Sequence, residues 1–149
     1  MHDPSLQAVR RAAAFESTVL ENGLTVRVHT MPGFTGVHAV YGTKFGSIDR
    51  AFALDGKRVD LPAGIAHFLE HKMFENEEGD AFTLYARTGA SANAYTSFDR
   101  TCYLFTATQN VAQSVDILLG QIGAPYLTDE NVEKEKGIIA QEIKMYDDD

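Results

Sequence analysis

Alternating apolar and polar positions mark the first part of the chain as β-structure. The runs 15–20 and 24–29 alternate in this way and are separated by Glu21-Asn22-Gly23. Asn-Gly between two such runs is a strong signal for a β-hairpin. Further along, the pattern predicts a strand over Val37–Lys44 and then a loop from Gly46 to Asp60 with a turn at Asp55-Gly56.

Helix-like and strand-like segments alternate through the rest of the chain. The predicted elements are the helices Pro62–Phe74 and Ala81–Arg87, the strands Ala90–Thr96 and Thr101–Thr106, and the helices Asn110–Ile122 and Asp129–Tyr146. Pro62 suits a first helical turn, and both Asp80 and Thr128-Asp129 suit N-caps. The order favours an α+β fold, a two-layer sandwich with helices packed on one face of a mostly antiparallel sheet.

The first of these helices carries the sequence His67-Phe68-Leu69-Glu70-His71. Residues four apart lie on the same helical face, so His67 and His71 can converge on one metal ion. Glu70 lies at the edge of that face, where a carboxylate can take a proton from an attacking water. The order H-x-x-E-H is the inverzincin signature of zinc peptidases. The alternative is an ordinary amphipathic helix with two surface histidines and a solvated glutamate.

A catalytic zinc ion normally has three protein ligands, so a third ligand is expected elsewhere in the chain. The lone Cys102 is one candidate, although a single free cysteine more often fills a small buried position. The last predicted helix holds four more candidates: Glu130, Glu133, Glu135 and Glu142. Glu135 and Glu142 are two turns apart and project from nearly the same face, whereas Glu133 lies on roughly the opposite side.

We therefore predict Glu142 as the third metal ligand and Glu135 as a second carboxylate that orients a ligand or handles a proton. Apolar isoleucines flank the face that these two residues share, and a carboxylate beside an apolar stripe needs a partner if it is buried. The alternative is that all four glutamates are solvated charges, which is the usual state of glutamate on a helix.

The strand Ala90–Thr96 consists mainly of small and polar residues. Small side chains let another backbone approach closely, and an edge strand of this kind can pair with an extended peptide. The candidate substrate-binding residues are Ala92, Asn93 and Ala94, with Phe68 as part of a neighbouring side-chain pocket. The alternatives are a plain strand inside the sheet and, for Phe68, a place in the core.

Three stretches in this order resemble the pitrilysin/insulinase family of metallopeptidases (M16), which includes mitochondrial processing peptidases and small bacterial homologues. They are Gly64–Phe74, Gly89–Ser97 followed by Thr101 and Tyr103, and Val132–Ile143. The resemblance implies zinc ligands at His67, His71 and Glu142, a general base at Glu70, a second acidic residue at Glu135, and a substrate-pairing strand at Asn93 and Ala94.

The resemblance also implies an activity: zinc-dependent endopeptidase hydrolysis of extended peptides or small proteins, with one zinc ion per chain. Ligand type alone does not distinguish zinc from manganese or cobalt. One alternative is a non-catalytic or scaffold subunit of a heterodimeric processing peptidase, although a scaffold has no need for Glu70. A purely structural zinc site is disfavoured, because such sites prefer four protein ligands and cysteine.

Composition restricts the remaining possibilities. A chain of 149 residues that is 44% hydrophobic suits a single domain over residues 1–149. The net charge of −8 disfavours nucleic acid as a partner, and no apolar run reaches the roughly 18 residues of a membrane helix. Met1–Ser5 does not resemble a secretory signal, and a lone cysteine fits a reducing cytoplasm.

The end of the chain predicts that the domain continues beyond it. Asp147-Asp148-Asp149 stands at a helix C-terminus, where negative charge opposes the helix dipole. The family resemblance implies a second, similar domain that closes over the zinc site. We therefore expect an N-terminal fragment that is weakly active or inactive alone, and whose partner is a missing C-terminal half, a homologous subunit or a second copy in a dimer.

Overall fold

The computed structural model describes residues 15–77 and 79–147 of the chain. Two predictions concern residues outside this part, namely the lack of a secretory signal at Met1–Ser5 and the charged end at Asp148-Asp149. In the part that the structure describes, no helix combines the length and the apolar character needed to cross a membrane.

The chain divides into two compact units, Met1–Thr35 and Gly36–Asp149. In the first unit, the strands β1 (Glu16–Val19) and β2 (Thr25–Val28) pair antiparallel as a hairpin. The hairpin predicted from the Asn-Gly signal is therefore confirmed. The expectation of a single domain over 1–149 stays a prediction.

The second unit has its strands and helices interleaved. In chain order they are β3 (Val37–Thr43), β4 (Ala51–Leu54), β5 (Lys57–Asp60), α1 (Ile65–Lys72), β6 (Glu75–Asn76), β7 (Gly79–Asp80), α2 (Ala81–Thr88), β8 (Ser91–Thr96), β9 (Thr101–Ala107), α3 (Val111–Gly123) and α4 (Asp129–Asp147). The main sheet has the order β3-β9-β8, and both of its pairings are antiparallel. Two small ribbons, β4-β5 and β6-β7, accompany it.

The core lies between this sheet and the helices α2 and α3. Tyr103, Phe105 and Ala107 alternate along the central strand β9, and all three pack into one buried cluster. Tyr85 of α2 and Leu118 of α3 join the same cluster, and the ring centroids of Tyr85 and Phe105 are 5.8 Å apart. The α+β sandwich expected from the sequence is therefore confirmed.

Two local predictions are wrong. The sequence predicts a loop from Gly46 to Asp60, but this segment contains the hairpin β4-β5. The predicted turn at Asp55-Gly56 is present, and its positive φ angles of 50° and 74° are those that a tight hairpin turn requires. The first helix begins at Ile65 rather than near Pro62, because Gly64 takes a left-handed conformation with φ of 81°.

The other helix boundaries agree with the predictions within two residues, and the predicted caps are present. The Asp80 carboxylate accepts a hydrogen bond of 2.8 Å from the Phe82 amide at the start of α2. At the start of α4, the Thr128 hydroxyl accepts from the Asn131 amide at 3.2 Å, and the Asn131 side chain accepts from the Thr128 amide at 3.0 Å. This reciprocal cap fixes where α4 begins.

Candidate metal centre

The helix α1 presents His67 and His71 one turn apart on the same face. Their Nε2 atoms are 3.1 Å apart, and the two rings meet edge to face with centroids separated by 4.6 Å. The side chains are 41% and 28% exposed, respectively. His67 and His71 therefore converge, as their four-residue spacing predicts, and water can reach both side chains.

The helix α4 brings Glu142 to the same point. Its Oε2 atom lies 3.8 Å from His67 Nε2 and 3.7 Å from His71 Nε2. Among the described residues, these three form a group that could hold a metal ion. Zinc–nitrogen distances of about 2.0–2.1 Å and a tetrahedral angle separate neighbouring ligand atoms by about 3.3 Å. The observed separations are close to this value, so the donor set fits a zinc ion.

Glu135 contacts His71 from the side opposite the candidate metal position. Its Oε1 atom is 2.8 Å from His71 Nδ1, and only 6% of the Glu135 side chain is exposed. An ionised carboxylate only accepts hydrogen bonds, so Nδ1 is the donor and carries the proton. His71 Nε2 then carries a lone pair and not a proton, which is the usual arrangement of a histidine ligand backed by a carboxylate.

Glu70 points towards the end of the edge strand β8. The Thr96 hydroxyl donates a hydrogen bond to Glu70 Oε2, which joins α1 to the last residue of β8. The sequence did not indicate this role of Thr96, because the partners are 26 residues apart and belong to different elements. Burial raises the pKa of the nearby Tyr103 hydroxyl, and the negative charge of Glu70 raises it further.

The strand β8 has one open edge in the part of the chain that the structure describes. It pairs with β9 along its full length, and its other edge has no strand beside it. Asn93 is exposed, whereas Ala92 and Ala94 are half-buried against the core. Phe68 of α1 is half-buried. The candidate substrate strand is therefore an edge strand that ends at the Glu70 contact.

Two other candidate ligands, Cys102 and Glu133, are not part of this candidate group. Cys102 is buried in the central strand β9, directly opposite Gly42 of β3. Glu133 is exposed and forms an ion pair with Lys136 within α4. Neither of them has a ligand atom in a group of described residues that could hold a metal ion. Helical spacing predicts that Glu142 and Glu133 lie on different sides of the helix, and the structure agrees with this.

Comparisons with known proteins find similarity to peptidases. The sequence profile described as Insulinase (Peptidase family M16) matches residues 56–149. YmfH of Bacillus subtilis, described as an uncharacterized zinc protease, is 53% identical over 131 residues, a match that covers 87% of this chain and 31% of YmfH. A Schizosaccharomyces pombe protein described as "Probable mitochondrial-processing peptidase subunit beta" is 34% identical over 137 residues, covering 89% of this chain and 28% of that protein.

The fold comparison gives the same result. A crystal structure described as an M16-like peptidase from Alicyclobacillus acidocaldarius matches with a TM-score of 0.85 at 51% identity. The match covers 89% of this chain and 31% of that one. The chain thus spans about a third of the length of the relatives that it matches.

Proposed function

Because the chain belongs to the insulinase family of peptidases (peptidase family M16), we propose that it holds the zinc site of an endopeptidase that hydrolyses extended peptides or small proteins. The observation that carries this proposal is the meeting of His67, His71 and Glu142, whose ligand atoms all lie within 4.8 Å of one another. Two imidazoles and one carboxylate form a donor set of catalytic zinc sites, which leaves one coordination position free.

The residues around this site suit the hydrolysis of a peptide bond. One zinc ion per chain would supply a Lewis acid that lowers the pKa of water towards neutrality. Glu70 takes the proton from the attacking water and passes it to the leaving amine. Thr96 holds the Glu70 carboxylate through its hydroxyl, and Glu135 holds the His71 ring in the tautomer that leaves Nε2 free.

The open edge of β8 supports an extended peptide as the substrate. A peptide that pairs with this edge gains main-chain hydrogen bonds that do not depend on its sequence. Its path would follow Ala92, Asn93 and Ala94 towards Thr96, and so towards the carboxylate of Glu70. Phe68, one residue after the proposed ligand His67, would contact a substrate side chain.

A partner would complete this active site. Preorganised donors that polarise the substrate carbonyl are a large part of catalysis by acyl-transfer enzymes, and the chain spans about a third of the length of its relatives. We propose that the remaining sequence, or a homologous subunit, supplies such donors. The chain on its own then binds zinc but cleaves peptides poorly.

A non-catalytic subunit is the second candidate function, because one relative is described as a subunit of a processing peptidase. Glu70→Gln, made in the protein assembled with its remaining sequence or its partner subunit, separates the two. A catalytic site keeps its zinc and loses at least a hundredfold in the rate of hydrolysis of a fluorogenic peptide, in line with the roughly 10²–10⁴-fold contribution of a general base.

The matched control is Glu77→Gln, since Glu77 is exposed and only a few residues beyond α1. This control is expected to retain both zinc and the full rate. A Glu70→Gln variant that hydrolyses the peptide as fast as the wild type would overturn the proposed mechanism. An assembled wild type that binds zinc but shows no turnover would instead favour the non-catalytic subunit.

A further inference from the structure

Lys72, the residue that follows His71, is fully buried with 0% exposure. A buried ammonium group needs partners, because removing an unpaired charge from water is strongly unfavourable. Lys72 Nζ donates to Glu75 Oε2 in the strand β6 and lies 3.4 Å from the backbone carbonyl of Asn131 in α4. One buried side chain therefore links the end of α1 to the beginning of α4.

A second lysine strengthens the same link. Lys134 of α4 reaches the other carboxylate oxygen of Glu75 at 3.3 Å. The pKa of Glu75 lies below its usual range, chiefly because of the hydrogen bond from Lys72. Glu75 thus binds one lysine from each helix. We call Lys72, Glu75, Asn131 and Lys134 the lysine clamp.

The lysine clamp holds the part of α4 that precedes both functional glutamates. Asn131 is itself fixed by the Thr128 cap and by a hydrogen bond of 3.0 Å to the Tyr126 carbonyl. Glu135 follows Asn131 by one turn, and Glu142 follows it by three turns, which is about 16 Å along the helix axis. A tilt of about 5° at the clamp would therefore move Glu142 by about 1.4 Å. Metal ligands tolerate displacements of only about 0.2 Å.

We propose that Lys72 is a positioning residue of the metal centre, which holds α4 at the angle that brings Glu142 to the two histidines. This inference rests on the proposed metal site. A buried ion pair is often no more stabilising than apolar residues of similar size, and its best-attested use is to fix one arrangement of the elements that it joins. The lysine clamp joins the two helices that carry the ligands.

The first test compares zinc affinity between Lys72→Met and the wild-type chain, by competition with a chromophoric chelator. Lys72→Met keeps the length of the side chain but removes its charge. We expect zinc affinity to fall about tenfold, at the lower end of the roughly 10–100-fold effect of residues that support metal ligands. Lys136→Met is the matched control, because the Lys136–Glu133 pair lies within α4 alone and is exposed. Its zinc affinity should stay within about twofold of wild type.

A cobalt spectrum and a double-mutant cycle show whether Lys72 acts through Glu142. The visible absorption of bound Co²⁺ reports the ligand set, and Lys72→Met should give the spectrum of Glu142→Gln. In the Glu142→Gln background, Lys72→Met should then reduce affinity by less than threefold, because residues that act together give non-additive effects. A full tenfold loss in that background, or an unchanged cobalt spectrum, would overturn the proposal.

Two further measurements keep the proposal testable if Lys72→Met does not fold or if the chain binds no zinc. If Lys72→Met does not fold, Lys72→Met/Glu75→Leu removes the buried ammonium group together with its carboxylate partner and should fold while still binding zinc weakly; wild-type affinity in this variant would refute the clamp. Hydrogen exchange without metal tests the clamp independently, since amides of α4 should exchange faster in Lys72→Met than in Lys136→Met. Equal exchange contradicts the clamp, whereas faster exchange in a chain that binds no zinc would contradict only the metal site.

Discussion

The contact between Glu135 and His71 gives a prediction whose size follows from the structure. Glu135→Gln keeps the shape of the side chain and an oxygen that accepts from His71 Nδ1, but it removes the negative charge. The bond is 2.8 Å long and only 6% of the Glu135 side chain is exposed, so solvent screens it little. We therefore expect a direct effect on how well His71 binds a metal.

The expected loss in zinc affinity is about tenfold. A hydrogen bond with a charged partner contributes about 1.5–3 kcal/mol, and one between neutral groups contributes about 0.5–1.5 kcal/mol. The difference is therefore about 1–1.5 kcal/mol, and about 1.4 kcal/mol corresponds to a factor of ten in affinity. Glu135→Leu removes the acceptor as well, and its loss should approach a hundredfold.

The assay is zinc competition with a chelator, together with urea unfolding of the metal-free chain. Without metal, Glu135→Gln should unfold at about the same urea concentration as the wild type, or a higher one, because it relieves a buried charge. Glu133→Gln is the control, since Glu133 is an exposed residue of the same helix. Unchanged zinc affinity in Glu135→Gln would refute the supporting role of this carboxylate.

Three further predictions concern the proposed general base Glu70, acid stability and the core. Thr96→Val removes the hydroxyl bound to Glu70. In the assembled enzyme it should lower peptide turnover about tenfold with zinc affinity unchanged, and Thr96→Ser should restore turnover. The lowered pKa of Glu75 stabilises the fold at pH values above the usual 4.5, and this stability is lost as the pH falls through the lowered value. In urea titrations, the free energy of unfolding should therefore fall less between about pH 5 and pH 3 for Lys72→Met than for the wild type. Phe105→Ala, at a position with 0% exposure, should lower the free energy of unfolding by about 3–5 kcal/mol; a loss below about 1 kcal/mol would contradict the assigned core.

Local signals in the sequence predicted most of the fold. The Asn-Gly turn, the Asp80 cap and the Thr128 cap each act within a few residues, so their effect can be recognised from neighbouring positions alone. The hairpin β4-β5 was not predicted, because its second strand, Lys57–Asp60, is largely charged and lacks a clear alternation. The start of α1 was misplaced, because proline and glycine both suit a helix boundary and only the backbone conformation of Gly64 decides between them.

The grouping of the candidate metal ligands was also predictable, because helical spacing determines which residues share a face. His67 and His71 are four residues apart, and Glu135 and Glu142 are seven apart. The contact between Thr96 and Glu70 joins two distant elements and has no such spacing, so the sequence did not indicate it. Lys72 carried one usable signal: it lies three residues after Leu69, on the apolar side of α1, where a lysine is uncommon.

Zinc content would show whether His67, His71 and Glu142 form a metal site. The chain and its Glu142→Gln variant would be purified at the same pH, loaded with zinc, freed of excess metal and compared by elemental analysis. We expect about one zinc ion per wild-type chain and a sharp loss in the variant. Equal zinc in the two proteins, or little zinc in the wild type, would contradict this expectation.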